Sequence, residues 1–87
     1  ISTTYLSHLM LKSIPNVRHL EAFRAAAYEK SISAAARTIH ISQPAVTQAI
    51  AEFERDIGAR LLTRGARGVS LTDAGMLALV RADRALE

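Results

Sequence analysis

From Val17 to about Glu29 the chain has a helical period. Val17, Leu20, Phe23 or Arg24, Ala27 and Tyr28 mark one face at spacings of three and four. Asn16 stands where an N-cap belongs. Lys30-Ser31-Ile32 is the connection. Ser33 is then expected to cap a short second helix from Ala34 to Ile39, whose Ala34-Ala35-Ala36 run has high helix propensity and little bulk. Small side chains there let a following helix cross closely. His40-Ile41-Ser42 makes the turn. A third helix runs from about Gln43 to Ile57, with Val46, Ile50, Phe53 and Ile57 at i, i+4, i+7 and i+11 as its expected buried stripe. Pro44 falls in its first turn, where a missing N–H costs nothing. Gly58 suits the left-handed residue that ends it.

The period then changes. Arg60-Leu61-Leu62-Thr63 and Val69-Ser70-Leu71 are two short strand-like runs, and Arg64-Gly65-Ala66-Arg67-Gly68 between them holds two glycines for a turn. Thr72 caps a last helix with Asp73 in its first turn. Met76, Leu77, Val80 and Leu86 make that helix amphipathic. It reaches Glu87 with no stop signal, as a chain truncated within a helix would. At the other end, Leu6, Leu9 and Met10 share a helical face, and Ile14-Pro15-Asn16 would end such a helix. Residues 1–16 are read as an extension, either native or carried in from expression.

Composition narrows the classes. The 87 residues suit one small domain, and a hydrophobic fraction of 49% supplies a core. Cysteine is absent, which excludes disulfides and thiolate metal sites and fits a reducing cytoplasm. No apolar run reaches the roughly 18 residues of a membrane span, so no membrane partner is expected. Tyr5 to Leu11 is too short for a secretory core and follows no basic run. The net charge of +3 permits nucleic-acid binding without arguing for it. Its distribution says more. Arg60, Arg64 and Arg67 lie within eight residues that contain no acid, beside a Glu52–Asp56 stretch with three acids and one Arg.

The element order is helix, helix, turn, helix, hairpin, helix. The fold class this predicts is mainly α: a winged helix-turn-helix of three-helix core and two-stranded wing, then a further helix. The helix-turn-helix spans 32–51, the wing 60–71, the domain 17–71 and the last helix 72–87. Ser42-Gln43-Pro44 opens the third helix with an amide, a hydroxyl and bare backbone N–H groups. Such an end can enter the major groove of DNA, where amides and hydroxyls hydrogen-bond base edges.

From Val17 to Glu87, about four fifths of the chain, the sequence resembles the N-terminal DNA-binding domain of a LysR-type transcriptional regulator. The matching residues are Leu20 and Phe23, Ser33-Ala34-Ala35-Ala36, Ile41-Ser42-Gln43-Pro44-Ala45-Val46-Thr47, Phe53-Glu54, Ile57-Gly58, Leu61-Leu62, Arg64, Arg67-Gly68 and Leu71-Thr72-Asp73-Ala74-Gly75. The resemblance implies a bacterial transcription factor that binds double-stranded DNA at an imperfect inverted-repeat operator. It also implies a small-molecule effector acting only through a domain missing here. The last helix resembles the family's linker helix, which would pair two copies through Met76, Leu77 and Val80. One position departs. The family often carries Arg after the Ser or Thr of the recognition helix, and this chain has Gln48. Arg favours guanine and Gln favours adenine.

The candidate DNA-binding residues are Ser33, Ser42, Gln43, Pro44, Thr47, Gln48, Arg64 and Arg67. Gln43 and Gln48 would read bases, against the plain alternative of solvated glutamines. Thr47 would touch phosphate or a thymine methyl, or else bond its own backbone. Ser33 and Ser42 start helices in either case, and a helix N-terminus can also hold a phosphate. Pro44 needs only its first-turn role, though its ring could meet DNA. Arg64 could pair with Glu54 or Asp56; Arg67, at the wing tip, has less to pair with. Arg18 and Arg37 could reach flanking phosphates or simply lie on the surface. His8, His19 and His40 lack metal-ligand spacing. With no nucleophile elbow, Walker loop or dinucleotide fingerprint, neither an enzyme nor a cofactor is expected. The competing reading is a winged-helix protein-interaction module, since fold does not fix function. Acidic or apolar residues at 43, 47, 48 and 67 would favour it; Gln, Thr, Gln and Arg stand there.

Overall fold

The computed structural model describes residues 16–87. The proposed helix around Leu6, Leu9 and Met10 lies outside them. Four helices and one hairpin follow in order: α1 (Val17–Glu29), α2 (Ile32–Ile39), α3 (Gln43–Ile57), β1 (Leu62–Gly65), β2 (Gly68–Leu71) and α4 (Asp73–Ala85). This is a three-helix core with a two-stranded wing and a further helix, the winged helix-turn-helix that the order of periods predicts.

Each helix starts on a side-chain oxygen. Asn16 accepts from the Arg18 amide at 2.8 Å, Ser42 from Ala45 at 3.2 Å and Thr72 from Gly75 at 2.9 Å. The start of α2 differs from expectation. Ser31, not Ser33, is the cap and accepts from Ala34 N–H at 3.1 Å, so Ser33 lies inside the first turn. Two serines two residues apart offer the same chemistry. The longer start brings Ile32 onto the core as well. The first three helices end at left-handed residues: Lys30 (φ 56°), His40 (φ 59°) and Gly58 (φ 82°). Two of these are not glycine. Each such residue costs about 1–2 kcal/mol, which the packing of the flanking helices must offset.

The core gathers Phe23, Val46 and Leu61, fully buried, with Leu20, Ala26, Ala35, Ile50 and Phe53 around them. Phe23 and Phe53 stack at a tilt, with ring centroids 5.6 Å apart. Ala35 and Ala36 are buried as well, consistent with close crossing of α2 by its neighbours. Two expected faces shift. Val17 and Tyr28 are 58% and 61% exposed, and His19, Ala22 and Ala26 take the inward places on α1. Ile57 closes the predicted α3 stripe but is 47% exposed, lining an apolar groove that α1, α3 and α4 share.

The wing pairs Leu62 with Leu71, Thr63 with Ser70, Arg64 with Val69 and Gly65 with Gly68, antiparallel. Its first strand starts two residues later than the apolar run suggests. Leu61 and Leu62 N–H instead donate to the Glu54 carboxylate at 2.7 and 3.2 Å. The second strand is tied to the α1–α2 connection, with Val69 N–H donating to the Lys30 carbonyl at 3.1 Å. Gly68 has φ +104°, and a Cβ there would collide with that same carbonyl oxygen. The wing is therefore fixed to the core at both strands. On the far side Tyr28 donates to Asp83, whose carboxylate raises the phenol's pKa, and Arg24 approaches Asp83 at 3.9 Å. These contacts tie α4 to α1.

Candidate nucleic-acid interface

The N-terminal half of α3 is presented outward because its apolar stripe is confined to one side. Val46, Ala49, Ile50 and Phe53 face the core. Ser42, Gln43, Pro44 and Gln48 are exposed, and Thr47 is half-buried. Pro44 lies in the first turn, as its φ requires. Ser42 is the N-cap, so one oxygen lone pair is already engaged by Ala45.

Three elements converge there. Ser33 of α2, Gln43 of α3 and Arg64 of the wing line one open notch of about 280 Å³. Arg64 also reaches over α3: its guanidinium donates to Thr47 Oγ1 at a long 3.4 Å. The sequence left Arg64 free to pair with Glu54 or Asp56. Instead Arg60 approaches Glu54, at 3.7 Å. Glu54 turns inward to the strand amides, so the wing arginines Arg64 and Arg67 stay exposed. Arg67 stands in the two-residue turn at the tip. Arg18 and Arg37 are exposed at the start of α1 and on α2.

Met76, Leu77 and Val80 do not belong to this surface. They form a stripe on α4, 53%, 59% and 52% exposed. Leu86, expected in the same stripe, is half-buried against the core. Leu77 borders an apolar groove of about 520 Å³ floored by Leu20, Phe53 and Ile57.

The Gln48 amide donates to Glu52 Oε2 at 3.2 Å, and Glu52 Oε1 faces His19 Nε2 at 2.9 Å. A carboxylate only accepts, so His19 Nε2 carries the proton. The His19 contact, then the Gln48 amide, hold Glu52 below the usual carboxylate pKa. The other ring nitrogen of His19 lies 3.9 Å from Asp56. The Gln48–Glu52 spacing of four is legible in the chain. Nothing local signals His19, which comes from another helix 33 residues away.

Among the described residues no group of three His, Cys, Asp or Glu side chains could hold a metal ion, and no helix is long and apolar enough to cross a membrane.

Comparison with known proteins matches this architecture. The family model for the bacterial regulatory helix-turn-helix protein, lysR family, covers residues 17–76. The transcriptional regulator TfdS of Cupriavidus pinatubonensis is 51% identical over 70 residues, which are 80% of this chain and 24% of that protein. ClcR of Pseudomonas putida is 49% identical over 69 residues, 79% of this chain and 24% of that one. The chain thus spans about a quarter of the length of the curated relatives it matches. Among solved structures, the CbnR DNA-binding domain in complex with DNA superposes with a TM-score of 0.79 at 41% identity, over 82% of both chains. The BenM DNA-binding domain on catB site 1 DNA gives 0.78 at 35%, over 82% of this chain and 80% of that one. The chain belongs to the lysR family of bacterial regulatory helix-turn-helix proteins, as the DNA-binding domain of a transcriptional regulator.

Proposed function

We propose that the N-terminal half of α3 reads double-stranded DNA in the major groove, with the wing on the backbone. The observation that carries this is an open notch lined by Ser33, Gln43 and Arg64, with Arg64 also reaching Thr47 on α3, while Gln48 and Arg67 are exposed. Amides and a hydroxyl there match base edges, and the guanidinium groups match phosphate. The DNA complexes of CbnR and BenM support the same reading for this chain. Ser42 and Pro44 set the helix end that approaches the duplex.

Residues 17–71 would be the DNA-binding domain proper and 72–87 the start of a linker helix. Met76, Leu77 and Val80 would join two copies, so that two α3 helices meet two half-sites of an imperfect inverted repeat, one DNA turn apart or a multiple of it. The regulator would work at the bacterial nucleoid. A small-molecule effector would act through a domain outside these residues, since the matched region spans about a quarter of the relative TfdS.

Selection from a random DNA pool, followed by titration on the preferred and a scrambled duplex, tests the reading. Gln43→Ala should cost about 1–3 kcal/mol on the preferred site and much less on the scrambled one. Arg67→Ala should weaken binding to any sequence and lower the salt slope by roughly one unit. Equal losses for Gln43→Ala on both duplexes would reduce α3 to phosphate binding. No salt-sensitive DNA binding at all would leave a protein-interaction module.

A further inference from the structure

Gln48 is the reading-face residue whose amide is already held by its own helix. Its Nε2 donates to Glu52 Oε2 at 3.2 Å. Glu52 is not free to swing away, because Oε1 is engaged by His19 Nε2 at 2.9 Å and His19 is 8% exposed. An ionised carboxylate has no proton to give, so the amide of Gln48 can meet it only through its NH₂ side. The carbonyl oxygen and the second N–H of Gln48 are left for an outside partner.

That orientation has a consequence for base choice. Adenine offers a donor and an acceptor in the major groove, N6–H and N7, which match the free oxygen and the free N–H of Gln48. Guanine offers two acceptors, O6 and N7. To satisfy both, Gln48 would have to turn its whole NH₂ group outward and abandon Glu52, leaving the carboxylate one partner short.

We propose that Glu52, buttressed by His19, is a positioning residue that fixes the Gln48 amide oxygen-outward and so discriminates against guanine at the base that Gln48 meets. This rests on the reading of α3 as the base-contacting helix. Glu52 itself touches no base. It acts through Gln48 alone, and its own negative charge lowers affinity for all DNA equally.

The test is a cycle of Gln48→Ala, Glu52→Ala, Glu52→Gln and the Gln48→Ala/Glu52→Ala pair. Each is titrated on two duplexes that differ only by adenine or guanine at the position where Gln48→Ala alters the selected sequence. The readout is the ratio of the two affinities, which cancels any uniform charge effect. Helical circular dichroism checks the fold, and Glu52→Gln keeps an acceptor for His19 in case the alanine variant is unstable. Glu52→Ala should raise affinity for both duplexes and cut the adenine-over-guanine ratio on the order of three- to tenfold, the net worth of one hydrogen bond at a solvent-exposed site. Glu52→Gln, whose amide can turn either way, should cut it as well. In the Gln48→Ala background Glu52→Ala should leave the ratio unchanged. An unaltered ratio in both Glu52 variants, or an equal change with and without Gln48, overturns the positioning role while leaving α3 as the reader. If Gln48→Ala alters preference at no position, base reading by Gln48 fails, and the positioning role with it.

Discussion

Glu54 is the joint between the recognition helix and the wing, and its removal has a calculable cost. One carboxylate oxygen accepts both Leu61 N–H (2.7 Å) and Leu62 N–H (3.2 Å). Leu61 is fully buried, Leu62 is 4% exposed and the Glu54 side chain is 15% exposed, so without the carboxylate the two amides have little water to turn to. An unsatisfied buried N–H costs about 1–3 kcal/mol. Two of them put Glu54→Ala at about 2–4 kcal/mol, allowing some relaxation at the strand end. A domain of this size has total stability of roughly 4–13 kcal/mol, so the loss is a large share of it and the melting temperature should fall by about 10–25 °C. Glu54→Gln keeps a carbonyl acceptor and should lose only about 1 kcal/mol, the charge-assisted share of the bonds. The nearby Arg60 is a side issue: it lies 3.7 Å away with its side chain 76% exposed, and such pairs contribute at most about 1 kcal/mol. Arg60→Ala should therefore be close to neutral. Urea unfolding followed by far-UV circular dichroism gives all three values. A loss below about 0.5 kcal/mol for Glu54→Ala would refute the argument from buried amides. So would equal losses in the Gln and Ala variants, which would make charge rather than hydrogen bonding the cause.

Gly68→Ala should destabilise the domain and loosen the wing, since the new methyl would strike the Lys30 carbonyl at a φ of +104°; Gly65→Ala, which meets open space, is the neutral control in the same melting assay. Leu77→Asp should abolish self-association seen by sedimentation while leaving the melting temperature nearly unchanged, because Leu77 is 59% exposed. A wild-type chain that stays monomeric at high concentration would remove the dimer reading for this fragment. Glu52 has its pKa lowered in the folded state, first by the His19 contact, so it favours folding above the ordinary glutamate value of 4.5 and loses that contribution as pH falls through its depressed value. The stability difference between wild type and Glu52→Gln should be constant near neutrality and shrink in acid, measured by denaturant titration across that window.

The sequence by itself determined the local features. Helical and alternating periods, a Pro in a first turn, Ser, Thr and Asn caps and a terminal Gly act within four residues along the chain. Their physics is complete before any tertiary contact forms, and the element order follows from them. The outward placement of Gln43, Gln48 and Arg67 is legible for the same reason, since a residue off the apolar stripe of α3 or at a hairpin tip must face solvent. What the tertiary structure alone decided involves partners distant in sequence. The choice of Ser31 over Ser33 as cap accompanies the packing of Ile32 onto the core. Ile57 fits the period of its helix, yet it lines an open groove shared with α1 and α4 and stays 47% exposed. The start of β1 at Leu62 depends on a carboxylate from α3, and that bond leaves Arg60 near Glu54 and Arg64 over Thr47. His19 is held inside by a carboxylate 33 residues away, and through it by the amide of Gln48. A one-dimensional pattern shows which side chains are able to pair. Which pairs form depends on how closely the helices pack, and that distance is set by the whole core at once.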